Sequence, residues 1–212
     1  MKEARHIKLP PLGRAGVGVK SMLTTGIFGG SFNPVHNGHI ELARRLLELA
    51  GLDEVWFVVS PQNPFKRNER LLDDALRLEM VRLALAGEPR MTASDCEFRL
   101  PRPSYMWHTL QSLAEEYPDR EFVLLIGADN WARFDEWFAA KDILANHHIV
   151  VYPRKGTRLD ASSFPPGVTL ADTGLIPGSS TEIRCLIANN QPIDGLVPPV
   201  VAEFIRKNKL YK

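Results

Sequence analysis

Hydrophobic positions follow two alternating patterns from about residue 26 almost to the C-terminus. Continuous apolar runs, typical of strands buried on both faces, occur at 26–30, 55–59, 122–126 and 148–152. Between them, apolar residues recur at helical spacing over 40–50 and 72–83. This alternation of strand and helix predicts an α/β fold, in which a doubly wound parallel sheet is covered by helices on both faces.

The pattern changes near residue 173. Helical spacing over 180–189 and 198–207 predicts a C-terminal helical appendage to a single domain that spans 22–212. Residues 1–21 are basic and interrupted by proline and glycine, which predicts a flexible extension, although an organelle transit peptide also fits this composition. Apolar runs stay shorter than the roughly 18 residues that a membrane-spanning helix needs, so we expect no membrane partner.

Composition narrows the class of protein. Of the 212 residues, 44% are hydrophobic and 24% are charged, which excludes wholesale disorder and a collagen-like fibre. The 26 basic and 25 acidic residues leave a net charge of +1, so no bulk field attracts nucleic acid. The two cysteines, Cys96 and Cys185, lie far apart without a CxxC pair, which favours a cytoplasmic protein with free thiols.

The loop after the first predicted strand carries candidate chemistry. It reads GGSFNPVHNGH over 29–39, which is neither a dinucleotide-binding GxGxxG, nor a P-loop, nor a nucleophile elbow. Glycines allow backbone N–H groups to approach an anion closely, and a helix N-terminus adds partial positive charge. His36 and His39 share one side of the first helical turn and can donate to phosphate oxygens; a surface pair and half a metal site are the alternatives.

A second string, SSTEIR over 179–184, begins a predicted helix. Ser179 and Glu182 have the spacing of a capping box. The Ser180 and Thr181 hydroxyls with Arg184 one turn later suit a phosphate cradle, while an ordinary capped helix is the alternative.

These two strings, roughly 140 residues apart, resemble the GSFDPxHxGH and SSTxIR motifs of the nucleotidyltransferase superfamily. The first departs from its motif at Asn33, where the superfamily usually has aspartate. The resemblance implies a Rossmann-like form of the predicted sheet.

Three further segments resemble the bacterial nicotinate-nucleotide adenylyltransferases. They are PQNPFK over 61–66, RPSYMWHTL over 102–110, and GAD over 127–129 followed by Trp137. Met106 stands where that family has threonine. The match runs from about Gly26 to the C-terminus, and it implies transfer of AMP from ATP to nicotinate mononucleotide in NAD biosynthesis, with release of pyrophosphate.

The resemblance also implies roles for individual residues. The implied catalytic residues are His36, His39, Lys66 and Arg184. The implied ATP-binding residues are Gly29, Gly30, Ser31, His36, His39, Gly127, Asp129, Ser179, Ser180, Thr181 and Arg184. The implied nicotinate mononucleotide-binding residues are Asn63, Lys66, Tyr105, Met106 and Trp137. Mg²⁺ is expected to arrive on the ATP phosphates, without protein metal ligands.

Three alternatives stay open at this point. An adenylyltransferase for another phosphate acceptor, such as phosphopantetheine, shares the superfamily motifs. A catalytically weak nucleotide-binding regulator is suggested by Asn33, and a hydrolase that uses Ser31 with a histidine is the third. The oligomeric state is undetermined by the sequence.

Overall fold

The computed structural model describes residues 22–62 and 71–212. The predicted extension over 1–21 lies outside the described residues, as do Asn63 and Lys66.

Six strands form one parallel sheet, which confirms the predicted parallel sheet and adds two strands to the four predicted ones. They are β1 (Leu23–Gly30), β2 (Glu54–Val59), β3 (Met91–Ser94), β4 (Arg120–Gly127), β5 (His148–Tyr152) and β6 (Val168–Leu170). Their spatial order is β3-β2-β1-β4-β5-β6, so the chain first winds outward from β1 and then returns to β1's other side with β4. Such a sheet binds ligands at the carboxyl ends of the strands beside this reversal, between β1 and β4.

Helices cover both faces of the sheet. They are α1 (Asn37–Leu49), α2 (Asp74–Leu85), α3 (Met106–Glu116), α4 (Ala128–Trp131), α5 (Ala140–Asn146), α6 (Ser180–Ala188) and α7 (Pro199–Lys207). Short 3₁₀ turns span Cys96–Arg99, Phe134–Glu136 and Ala161–Ser163. None of the helices among the described residues is long and apolar enough to cross a membrane.

Two hydrophobic cores lie on opposite faces, because successive side chains of each strand point to opposite sides. In β2, Val55 and Phe57 join the core beneath α1, α2, α6 and α7, whereas Trp56 and Val58 join the core beneath α3 and α5. Both faces of the central strands are therefore buried, which is why these strands are continuously apolar in sequence.

Element boundaries differ from the predictions at a few places. Helix α2 begins at Asp74 and not at Leu72, because the Asp73 carboxylate caps it by accepting from the N–H groups of Ala75 and Leu76, at 3.0 and 3.3 Å. Strand β1 starts three residues earlier than predicted, at Leu23, and includes the fully buried polar residue Thr25. The two C-terminal helices are confirmed.

Candidate active site

The predicted histidine pair lies at the start of α1, where the loop from β1 ends. The two rings stack with their centroids 3.7 Å apart. The His36 backbone N–H donates to His39 Nδ1 at 3.2 Å. Since Nδ1 is an acceptor, a neutral His39 carries its proton on Nε2, which leaves that N–H available as a donor.

Burial sets the charge of this pair. It lowers the pKa of His36 to about 4 and that of His39 well below its ordinary value, and the nearby positive charge of Arg154 lowers both further. Each imidazole is therefore neutral at pH 7 in the free protein and keeps one N–H donor. The edges of Phe28 and Phe32 pack against the His39 ring, with centroids 6.2 and 5.1 Å away.

Helix α6 brings the second predicted motif onto the first. The Ser180 hydroxyl donates to the Pro34 carbonyl at 2.9 Å, and Arg184 Nη1 donates to the Asn33 carbonyl at 2.7 Å. Arg184 Nη2 also donates to the Thr181 hydroxyl at 3.2 Å. The Ser179 hydroxyl caps the helix by accepting from the Glu182 N–H at 3.3 Å, as the capping-box spacing predicts. Residues roughly 140 apart in sequence thus meet at one corner of the sheet.

Gly178 allows this close approach. A Cβ on Gly178 would lie 2.9 Å from His36 Cε1, and its φ of +130° is a conformation that other residues rarely adopt. The glycine immediately before the SSTEIR string is therefore part of the site architecture.

Asn33 is a buried structural residue of the loop, only 2% exposed. Its side-chain oxygen accepts from the Tyr211 hydroxyl at 2.8 Å and from the Leu72 N–H at 3.4 Å. It ties the loop to the C-terminus and to the segment before α2.

Two arginines of the site were not predicted. Arg154 follows the end of β5, and its Nε lies 3.5 Å from Asp129 Oδ1. Arg77 of α2 is fully buried and donates to the Ser31 and Ser60 carbonyls, at 2.5 and 3.0 Å. The position of Arg154 is a signal that could have revealed it, because ligands bind at strand ends. Arg77 has no such signal, since it looks like any polar residue of an amphipathic helix.

A cavity of about 320 Å³ opens beside the carboxyl ends of β1 and β4. The predicted residues Gly29, Gly30, Tyr105, Met106 and Trp137 line it, and so do several residues that were not predicted. The latter include Ser60, Glu97, Ser104, Asn130, Phe138 and Tyr152.

Trp137 is partly buried and packs on Phe134, with ring centroids 5.3 Å apart. It therefore both supports the core and presents a surface to the cavity. The predicted Asp129 is not among the residues that line the cavity; it is the second residue of α4, which begins directly after Gly127. Over residues 22–62 and 71–212, no group of three or more His, Cys, Asp or Glu side chains is arranged to hold a metal ion.

The fold, together with the histidine loop between β1 and α1, is that of a nucleotidyltransferase. Comparison with known proteins agrees. The family described as cytidylyltransferase-like matches residues 27–186. A protein of Bacteroides fragilis named probable nicotinate-nucleotide adenylyltransferase is 52% identical over 181 residues, which cover 85% of this chain and 90% of that protein. A protein of the same name from Cytophaga hutchinsonii is 42% identical, over 88% of this chain and 97% of its own length. The chain belongs to the nicotinate-nucleotide adenylyltransferase family.

A solved structure shares the fold at much lower identity. The nicotinic acid mononucleotide adenylyltransferase of Plasmodium falciparum, complexed with NaAD, superposes with a TM-score of 0.74 at 20% identity. The match covers 89% of this chain and 97% of that one. This likeness confirms the predicted Rossmann-like architecture.

Proposed function

We propose that the chain transfers AMP from ATP to nicotinate mononucleotide, forming nicotinic acid adenine dinucleotide and pyrophosphate. The observation that carries the proposal is the meeting of the histidine loop with the start of α6, next to a cavity at the sheet's reversal point. An anion-binding corner beside a partly apolar cavity suits a triphosphate and a flat heteroaromatic ring. Family membership supplies the acceptor.

In the proposed reaction, an oxygen of the acceptor's phosphate forms a bond to the α-phosphorus of ATP. The bond from that phosphorus to the bridging oxygen breaks, and pyrophosphate leaves with the electron pair. The attacking phosphate is largely ionised at pH 7, because the second pKa of a phosphate monoester is about 6, so it needs no general base. Catalysis is then positioning and charge stabilisation.

The histidines and α6 are proposed to stabilise the triphosphate. His39 would donate its Nε2–H, whose availability follows from the bond that Nδ1 accepts. Arg184 has N–H groups beyond those given to Asn33 and Thr181, and Arg154 adds a second guanidinium nearby. Gly29, Gly30, Ser31, Gly127, Ser179, Ser180 and Thr181 would complete the ATP site, with Asp129 accepting from a ribose hydroxyl.

The acceptor is proposed to occupy the cavity. Its nicotinate ring would stack on Trp137, and its carboxylate would accept from backbone N–H groups at the start of α3, next to Tyr105 and Met106. Backbone donors explain how methionine can replace the family threonine at 106. Asn63 and Lys66 are also proposed to bind the mononucleotide, with Lys66 on its phosphate, although both lie outside the described residues.

A divalent cation is proposed to enter with ATP, and Mg²⁺ suits this role because it prefers phosphate and water oxygens. The side chains around the histidine pair fit a cation that is held by the ATP phosphates and not by the protein. The two imidazoles offer nitrogen ligands, which suit Mg²⁺ poorly, and the Asp129 carboxylate already lies beside Arg154. When bound, the ion would neutralise charge on the leaving pyrophosphate. The proposal includes no nucleic-acid or membrane partner.

The test is pyrophosphate release by the purified chain with ATP, Mg²⁺ and one acceptor at a time. We expect rapid release with nicotinate mononucleotide and little with phosphopantetheine. Release with phosphopantetheine alone would favour the other adenylyltransferase, and no release with any acceptor would favour a regulator. Release without an acceptor would indicate hydrolysis.

A further inference from the structure

A buried carboxyl group forms part of the wall of the cavity and has no place in the proposed reaction. Glu97, in the 3₁₀ turn after β3, is 1% exposed. Its Oε1 accepts from the Thr109 hydroxyl of α3 at 3.0 Å. Its Oε2 has no hydrogen-bond partner among the described residues and is sealed from solvent. Burying an acidic side chain this deeply costs free energy unless neighbouring groups hydrogen-bond to it or pair with its charge.

The surroundings of Glu97 consist of hydroxyl groups from three separate segments. Burial raises the pKa of its carboxyl group, and the hydroxyls of Ser60, Thr109 and Ser104 oppose that rise. Ser60 follows the end of β2, Ser104 precedes α3, and Thr109 lies in the first turns of α3. Among the described residues, the Thr109 hydroxyl is the group hydrogen-bonded to Glu97, while the Ser104 hydroxyl is buried without a hydrogen-bond partner.

These segments form the acceptor side of the cavity. Ser60 and Ser104 line it beside Tyr105 and Met106, and the Ser104 N–H donates to the Gln62 carbonyl at 3.2 Å. Met106, the first residue of α3, reaches toward β1, because a Cβ built on Gly29 would be 3.0 Å from its Cε. The position of α3 therefore sets the shape of this part of the cavity. In contrast, the histidine loop is held by α6 and by Arg77.

We propose that Glu97 is a positioning residue for the acceptor-binding half of the site, which it builds by fixing the start of α3 to the 3₁₀ turn that follows β3. This inference rests on the proposed function. Glu97 acts through Thr109 and does not touch the substrate, because its Oε1 is bonded to the Thr109 hydroxyl and its Oε2 is sealed from solvent. Displacing reacting groups by about 1 Å can cost on the order of 100-fold in rate, so a small shift of α3 is measurable.

The experiment compares paired variants at both partners of the Glu97–Thr109 bond. Glu97→Ala and Thr109→Val each remove one partner, whereas Glu97→Gln and Thr109→Ser keep an acceptor and a hydroxyl, respectively. We expect the first pair to raise KM for nicotinate mononucleotide about tenfold or more, while KM for ATP changes less than twofold. Glu97→Gln and Thr109→Ser should each keep KM for the mononucleotide within about threefold of the value for the unaltered chain.

Two controls separate this role from general damage. Glu115→Gln changes an exposed acid of α3, the helix that carries Thr109, and should alter neither KM for ATP nor KM for the mononucleotide. The double variant Glu97→Ala/Thr109→Val should be no worse than either single variant, because both remove the same bond. If Glu97→Ala does not fold, Thr109→Val, which is nearly isosteric, carries the test.

The inference is overturned if both KM values rise together, if only kcat or the melting temperature falls, or if Glu97→Gln is as impaired as Glu97→Ala. These outcomes are distinct from failure of the proposed function, in which the unaltered chain itself releases no pyrophosphate with nicotinate mononucleotide and ATP.

Discussion

Replacement of Arg77 by methionine should strongly destabilise the fold, because this guanidinium joins three backbone segments in the interior. Arg77 is fully buried on α2, and its Nε donates to the Leu72 carbonyl at 2.9 Å. Nη1 donates to the carbonyls of Ser31 and Ser60, and Nη2 donates to the Asp74 carboxylate at 2.5 Å. One side chain thus holds together the segments that follow β1 and β2 and the start of α2.

The magnitude follows from what methionine would leave behind. Three carbonyl groups lose a charged donor, and each such bond contributes about 1.5–3 kcal/mol. These losses are not additive, and removal of one partner from a buried ion pair costs about 3–5 kcal/mol. Asp74 keeps a second partner, because Arg102 Nη2 lies 2.6 Å from its Oδ2. We therefore expect a loss of about 4 kcal/mol in the free energy of unfolding.

Urea unfolding followed by circular dichroism measures this loss, with Arg82→Met as the matched control. Arg82 lies on the same helix, but its side chain is 55% exposed and lies 3.8 Å from Asp95. Its replacement should change the free energy of unfolding by less than about 1 kcal/mol. A similarly small loss for Arg77→Met would refute the claim that the guanidinium holds these segments together.

Three further predictions concern the histidine loop. His39→Ala should lower kcat by about 10²–10³-fold, with a smaller effect on KM for ATP, because the His39 N–H would donate to negative charge that grows in the transition state. A near-normal kcat in steady-state assays would show that His39 is not a catalytic residue. Asn33→Asp should leave kcat within a few-fold, since an aspartate keeps the acceptor for Tyr211 and Leu72, whereas a large gain would revive the weak-regulator alternative. The free energy of unfolding should fall as the pH is lowered from 6.5 to about 4, because His36 stays neutral in the folded state down to a pKa of about 4 while the unfolded chain takes up a proton near 6.5. Urea titrations at several pH values should show a weaker decline for His36→Gln, and an unchanged decline would contradict the assignment.

The central strands were predictable because they are buried on both faces, so their sequences are continuously apolar. Strands β3 and β6 were missed because they are short edge strands with one buried residue each, Met91 and Val168. Strand β3 forms by pairing with β2, and β6 forms by pairing with β5. The local pattern of apolar residues carries no information about this pairing.

The site divides in the same way between local and long-range information. Two local strings, each readable as a motif, indicated the histidine loop and the start of α6. Residues whose roles arise only from packing were missed: Arg77 and Glu97 are charged side chains buried by contacts with distant segments. The partners of Asn33 were also beyond prediction, since Tyr211 lies 178 residues away.

The most direct test of the account is acceptor choice between two mononucleotides that differ at one group. Nicotinate carries a carboxylate where nicotinamide carries a neutral amide, and N–H donors at a helix start favour the anion. We expect kcat/KM for nicotinate mononucleotide to exceed that for nicotinamide mononucleotide by on the order of 100-fold. Trp137→Ala should lower both values and preserve their ratio, because stacking hardly distinguishes the two rings. Equal kcat/KM values for the two mononucleotides with the unaltered chain would contradict the carboxylate-specific site.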